Sequence, residues 1–69
     1  MVFVDSAAIM RLMIRENIGT YELARRAGVR AKTVKDTLEG KTPTKIMTLF
    51  KIASALDVNH NELITGYTT

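Results

Sequence analysis

Cysteine is absent from the 69 residues, which excludes disulfide staples, thiolate metal ligands and thiol catalysis. Histidine occurs once, at His60, and a single imidazole does not make a metal site. No phosphate-binding glycine loop, metal-ligand spacing or nucleophile motif is present. Long apolar runs are missing too. The longest hold three or four residues, such as residues 1–4, far short of the about 20 that span a bilayer and of a signal-peptide core. A cytoplasmic location is the resulting expectation. Repeats, linkers and low-complexity stretches are also lacking, and a chain this short buries only about 60% of the surface its unfolded form exposes. A deep catalytic cavity is therefore not expected, and stability must come from apolar packing.

What is present suits a small folded domain. Hydrophobic residues make up 46% and charged residues 25%, close to globular averages and unlike a disordered tail. The net charge of +3 hides a segregation. Between Arg25 and Lys51 stand eight bases, Arg25, Arg26, Arg30, Lys32, Lys35, Lys41, Lys45 and Lys51, against two acids, Asp36 and Glu39, giving +6. The remainder sums to −3. Positive charge concentrated in the middle of the chain points to an anionic partner.

Turn-forming residues divide the chain at Asn17 to Gly19, Gly28, Gly40 to Thr44 with the lone Pro43, Asp57 to Asn61, and Gly66. No strand-like alternation lies between them. Ala8, Ile9, Leu12 and Met13 form one helical stripe, with Asp5 or Ser6 as N-cap. Leu23, Ala24 and Ala27 form the inner face of a second helix that ends at Gly28, and Val34 and Leu38 that of a third ending at Gly40. Thr42 before Pro43, or Thr44, caps a fourth helix whose broad apolar face holds Ile46, Leu49, Phe50, Ile52, Ala53 and Leu56. Asn59 and Glu62 form a capping pair for a short fifth helix carrying Leu63 and Ile64. Met10, Met13 and Met47 are expected to fill gaps in the core, and Tyr67, Thr68 and Thr69 to fray. The expectation is one all-α domain over residues 1–69, with five helices at about 6–17, 20–27, 31–39, 44–56 and 60–65.

The second and third helices, joined through Gly28 and Val29, make a helix-turn-helix that can lay the third in a major groove. Ala24 is small where the helices cross, Gly28 permits the turn, Val29 plugs it and Val34 anchors the third helix from below. With Leu23, Ala27, Gly40 and Lys41, this ordered set resembles the DNA-binding domains of phage Cro and repressor proteins, the Xre-like family. The likeness spans roughly Ile9 to Gly66 and includes residues 48–58, followed by Asn61, Glu62, Leu63 and Ile64. It implies a compact five-helix, lambda-repressor-like fold.

The resemblance also implies roles. Thr20 stands at a phosphate-binding position where the family generally has glutamine, and Gly19 replaces the usual serine or threonine cap, which weakens that cluster. Arg30 matches the N-cap of the third helix, and Ala31, Lys32, Thr33, Lys35 and Asp36 match positions facing DNA. Lys32 can donate to guanine O6 and N7, Thr33 can meet phosphate or a thymine methyl, and Asp36 can accept from cytosine N4. Lys35 is equally suited to a base or a phosphate. Lys41 and Thr42 match backbone contacts, and Lys45 adds to them by proximity. Where the family commonly pairs arginine with glutamate, Met13 and Leu38 stand together here. An apolar pair is at least as stable, so Leu38→Glu is expected to cost several kcal/mol. Arg11 and Arg15 replace the lost arginine's phosphate contact only if they face the duplex.

The expected function is therefore a sequence-specific double-stranded DNA-binding regulator, a repressor of phage or mobile-element type, with no cofactor. One helix-turn-helix touches one half-site, so a homodimer on an operator is implied, with recognition helices about 34–36 Å apart. Its interface is expected in the fifth helix, the preceding loop or the chain ends, including residues 1–4, an apolar start that suits packing on its own domain equally well. The alternative is an antitoxin or other protein-binding adaptor with secondary DNA binding, against which counts the short segment of about five residues after the last helix. An enzyme is not expected: His60, at a helix start without a titrating partner, suits capping or the surface.

Overall fold

The computed structural model describes residues 1–68. Strand β1 (Val2–Val4) leads into helices α1 (Ser6–Glu16), α2 (Thr20–Ala27), α3 (Ala31–Glu39) and α4 (Ile46–Ala55), then a 3-10 turn (His60–Leu63) and strand β2 (Ile64–Tyr67). Four expected helices appear within two residues of their predicted ends. The fifth is corrected to a single 3-10 turn. Its capping pair forms, since Asn59 N donates to Glu62 Oε2 at 3.0 Å and Asn59 Oδ1 accepts from Asn61 N at 2.9 Å. Beyond Leu63 the chain extends, because Ile64 and Thr65 are β-branched and a partner strand is available.

That partner is the apolar start of the chain. β1 and β2 are antiparallel, with Val2 opposite Tyr67, Phe3 opposite Gly66 and Val4 opposite Ile64, so Thr65 is the extra residue of a bulge. Asp5 N donates to Leu63 O at 2.7 Å and Thr68 N to Met1 O at 3.1 Å, extending the ladder at both ends. The all-α expectation is thus corrected by a two-stranded sheet, and Tyr67 and Thr68 are held rather than frayed. Thr69 lies outside the described residues.

On its other edge, Val2 exchanges two backbone hydrogen bonds with Thr44, of 2.8 and 2.7 Å. This draws Thr44 into extended backbone, so α4 starts later than expected and its N-cap is Lys45, not Thr42 or Thr44.

The core draws on every element but β2: Val2, Ile9, Leu23, Val34, Leu49, Ile52, Leu56 and Leu63 are all fully buried. The apolar face of α4 is narrower than its sequence suggests, since Ile46, Phe50 and Met47 are exposed. Met13 fills the core as expected, whereas Met10 is exposed. Phe50 instead packs against His60, with ring centroids 4.0 Å apart and the ring planes tilted by 56°.

Three helices end alike. Asn17, Gly28 and Asp57 have φ of 55°, 71° and 57°, and the next residue, Ile18, Val29 or Val58, donates its amide to Met13, Ala24 or Ala53 O at 3.0 Å. Each of these apolar residues packs against the core. This is the Schellman ending, in which a left-handed residue satisfies orphan carbonyls and an apolar plug fixes the exit angle.

Candidate nucleic-acid interface

The α2–α3 junction is built from small and apolar residues. Leu23 and Ala24 are buried beneath α2, and Val34 beneath α3. A Cβ on Gly28 would meet nothing within 4 Å, so the glycine is required by its positive φ and not by space. Arg30 caps α3 with extended backbone and no side-chain cap bond, which leaves its guanidinium exposed. α3 is further tied to α1 through Thr37, the one buried polar residue among those described. Its Oγ1 donates to Thr33 O at 2.9 Å, and its carbonyl accepts from Ser6 Oγ at 3.2 Å.

With its apolar side buried, α3 presents Lys32, Lys35, Asp36 and Glu39 to solvent. Lys32 Nζ lies 3.1 Å from Asp36 Oδ2, so two expected base readers face each other one turn apart. Thr33 is half-buried, and Ala31, expected among the outward residues, is half-buried and packs against the core. Thr33 and Asp36 share the wall of a shallow cleft of about 270 Å³ with Thr42 and Lys45. The fold thereby brings part of α3 and part of the following loop to one surface. Lys41 is exposed but lies outside that cleft. Thr20 begins α2 behind Gly19, which supplies no side-chain cap bond.

The free positive charge of the central stretch is smaller than its +6 suggests. Glu22 accepts from Arg25 Nε at 3.0 Å and from Arg26 Nε at 2.8 Å. The hydrogen bonds from Arg25 and then Arg26 hold its carboxyl at about 2, below the ordinary 4.5, and raise the Arg25 guanidinium in turn. Two of the eight central cations are thus engaged by an acid outside the counted stretch. Arg11 and Arg15 line a separate cleft with Val58, Glu62 and Leu63, and Arg15 Nη2 donates to Leu56 O at 3.5 Å. They sit beside the 3-10 turn, outside the cleft lined by Thr33, Asp36 and Thr37 of α3.

Sequence reasoning passed over Tyr21. It is 71% exposed and its hydroxyl accepts from Lys35 Nζ at 3.4 Å, with the ammonium 5.1 Å from the ring centroid. The available signal was an aromatic beside Thr20 that falls off the Leu23, Ala24 and Ala27 face. The Glu22 pairing was likewise legible in its i+3 and i+4 spacing to two arginines.

Among the described residues no helix is long and apolar enough to cross a membrane, and no cluster of three or more metal-binding side chains occurs. No curated protein matches the chain. The family model for the Cro/C1-type HTH DNA-binding domain matches residues 8–67, which contain the α2–α3 junction, the exposed face of α3 and the following loop. The chain belongs to the Cro/C1-type helix-turn-helix family and is a DNA-binding transcription regulator.

Proposed function

We propose that the chain is a repressor of phage or mobile-element type that occupies a two-fold operator as a homodimer and blocks polymerase. The observation supporting it most directly is the exposed face of α3, carrying Lys32 and Lys35 with Arg30 at its N-cap, over a buried base of Leu23, Ala24 and Val34. Lys32, Thr33 and Asp36 read base edges in this proposal, Ala31 lies against the groove, and Thr20, Arg30, Lys41, Thr42 and Lys45 hold phosphates. Lys32 exchanges its contact with Asp36 for guanine at little cost, because an exposed i,i+4 pair is worth only about 0.3–0.5 kcal/mol.

The test is fluorescence anisotropy against the DNA flanking the gene and against scrambled duplex, each across a salt series. The expected outcome is a preference of about a thousandfold or more for the flanking DNA, a steep fall with salt, and reduced transcription from the flanking promoter in vitro. Lys32→Ala should cost about 1–3 kcal/mol on the operator and less on scrambled duplex. Equal, weak binding to both duplexes would reject autoregulation, and absence of binding at low salt would reject the DNA-directed reading.

A further inference from the structure

We propose that Tyr21 and Lys35 act together as a phosphate clamp, which makes Tyr21 a DNA-contact residue and removes Lys35 from base reading. This rests on the reading of the α2–α3 surface as the DNA face. Tyr21 belongs to the first turn of α2 and Lys35 to the exposed side of α3, 14 positions later. Their contact is therefore the one place among the described side-chain hydrogen bonds where α2 and α3 are joined on the outside.

In a helix-turn-helix the first helix crosses the DNA backbone while the second enters the groove. An ammonium held by an α2 side chain is thus held toward the groove's edge, where phosphates lie, and away from its floor. Lys32 has no such tether to α2; its partner is Asp36 on its own helix.

The donor arithmetic fits a phosphate. Lys35 uses one N–H on the Tyr21 oxygen and keeps two, while Tyr21 accepts that bond and keeps its own O–H to donate. Three donors then converge on one small region and no acceptor is left without a partner. The ring adds a second attraction, because the ammonium lies within cation–π range of Tyr21. At 71% exposure, Tyr21 contributes little to the core, so its position needs another explanation than packing.

The experiment measures the wild type, Tyr21→Ala, Tyr21→Phe, Lys35→Ala and the Tyr21→Ala/Lys35→Ala double variant. Two probes are used across a salt series: a duplex enriched from a random pool by the wild-type protein and a random-sequence duplex of about the same length. Lys35→Ala should weaken both probes by the same factor and reduce the salt slope by about 0.9, one phosphate contact. Tyr21→Ala should weaken both by about two- to fivefold, the value of an exposed cation–π contact, and should add little once Lys35 is gone. Tyr21→Phe should fall between. Unchanged thermal melting of Tyr21→Ala separates these losses from unfolding. A Lys35→Ala loss confined to the enriched duplex would make Lys35 a base reader and overturn the proposal. So would full binding by Tyr21→Ala while Lys32→Ala still weakens the enriched duplex. If the wild type binds neither probe, the DNA-directed reading falls first and the clamp with it.

Discussion

Gly28 and Gly40 share a left-handed backbone, with φ of 71° and 68°, but differ in surroundings. A Cβ on Gly28 would find open space, whereas one on Gly40 would come within 3.0 Å of Ser6 Oγ, the hydroxyl that bonds to Thr37 O. Gly28→Ala should cost about 1–2 kcal/mol, the strain of an L-residue in that conformation. Gly40→Ala should cost more, because the contact with Ser6 must also give way; urea denaturation of both variants checks the order. Glu22 offers a second prediction. Its carboxyl is held at about 2 by Arg25 and Arg26, against an ordinary 4.5. A depressed carboxylate contributes stability that is complete above its unfolded value and lost as pH falls through the folded one. That contribution should therefore disappear between about pH 4.5 and 2, and the NMR titration of Glu22 should show a midpoint near the lower end in wild type and near the upper in Arg25→Ala/Arg26→Ala.

Helices α1 to α3 were legible because each has an apolar stripe of helical period and a residue suited to end it. Leu23, Ala24 and Val34 were expected inside and are inside. Asn17 and Asp57 repeat the ending at Gly28 with residues that tolerate a positive φ. The Met13 and Leu38 positions need a finer reading. Met13 is buried, but Leu38 is half-buried and packs at the rim of the same core. A carboxylate placed there keeps part of its water, so Leu38→Glu should cost about 1–2 kcal/mol, the value of partial leucine burial, and not the larger loss expected of a sealed site. Chemical denaturation decides it: a loss of several kcal/mol would mean that the rim closes over position 38. The face of α4 was overread for a related reason. Periodicity reports which side chains share a side, not how many neighbours are available to cover them, and Ile46 and Phe50 remain exposed.

The sheet joins distant parts of the chain and is tied to the segment that leads into α4. β1 is bonded to β2 on one edge and to Thr44 on the other, next to Thr42 and Lys45 on the cleft they share with Thr33 and Asp36. Deleting residues 1–4 should therefore cost at least the about 1.5–3 kcal/mol of the Val2 side chain. It should also flatten the salt dependence of DNA binding, as the loop loses its tie; an unchanged salt slope would uncouple the sheet from the interface. Periodicity, turn residues and the order of Ala24, Gly28, Val29 and Val34 were enough for four helices, the helix-turn-helix and the polar face of α3, because these depend on neighbours within a few positions. The sheet, the late start of α4, the half-buried setting of Ala31 and the Tyr21–Lys35 contact could not be read that way. The sheet, the start of α4 and the Tyr21–Lys35 contact depend on groups 14 to 65 positions apart, and which of them meet is decided when the core closes and its geometry selects the partners.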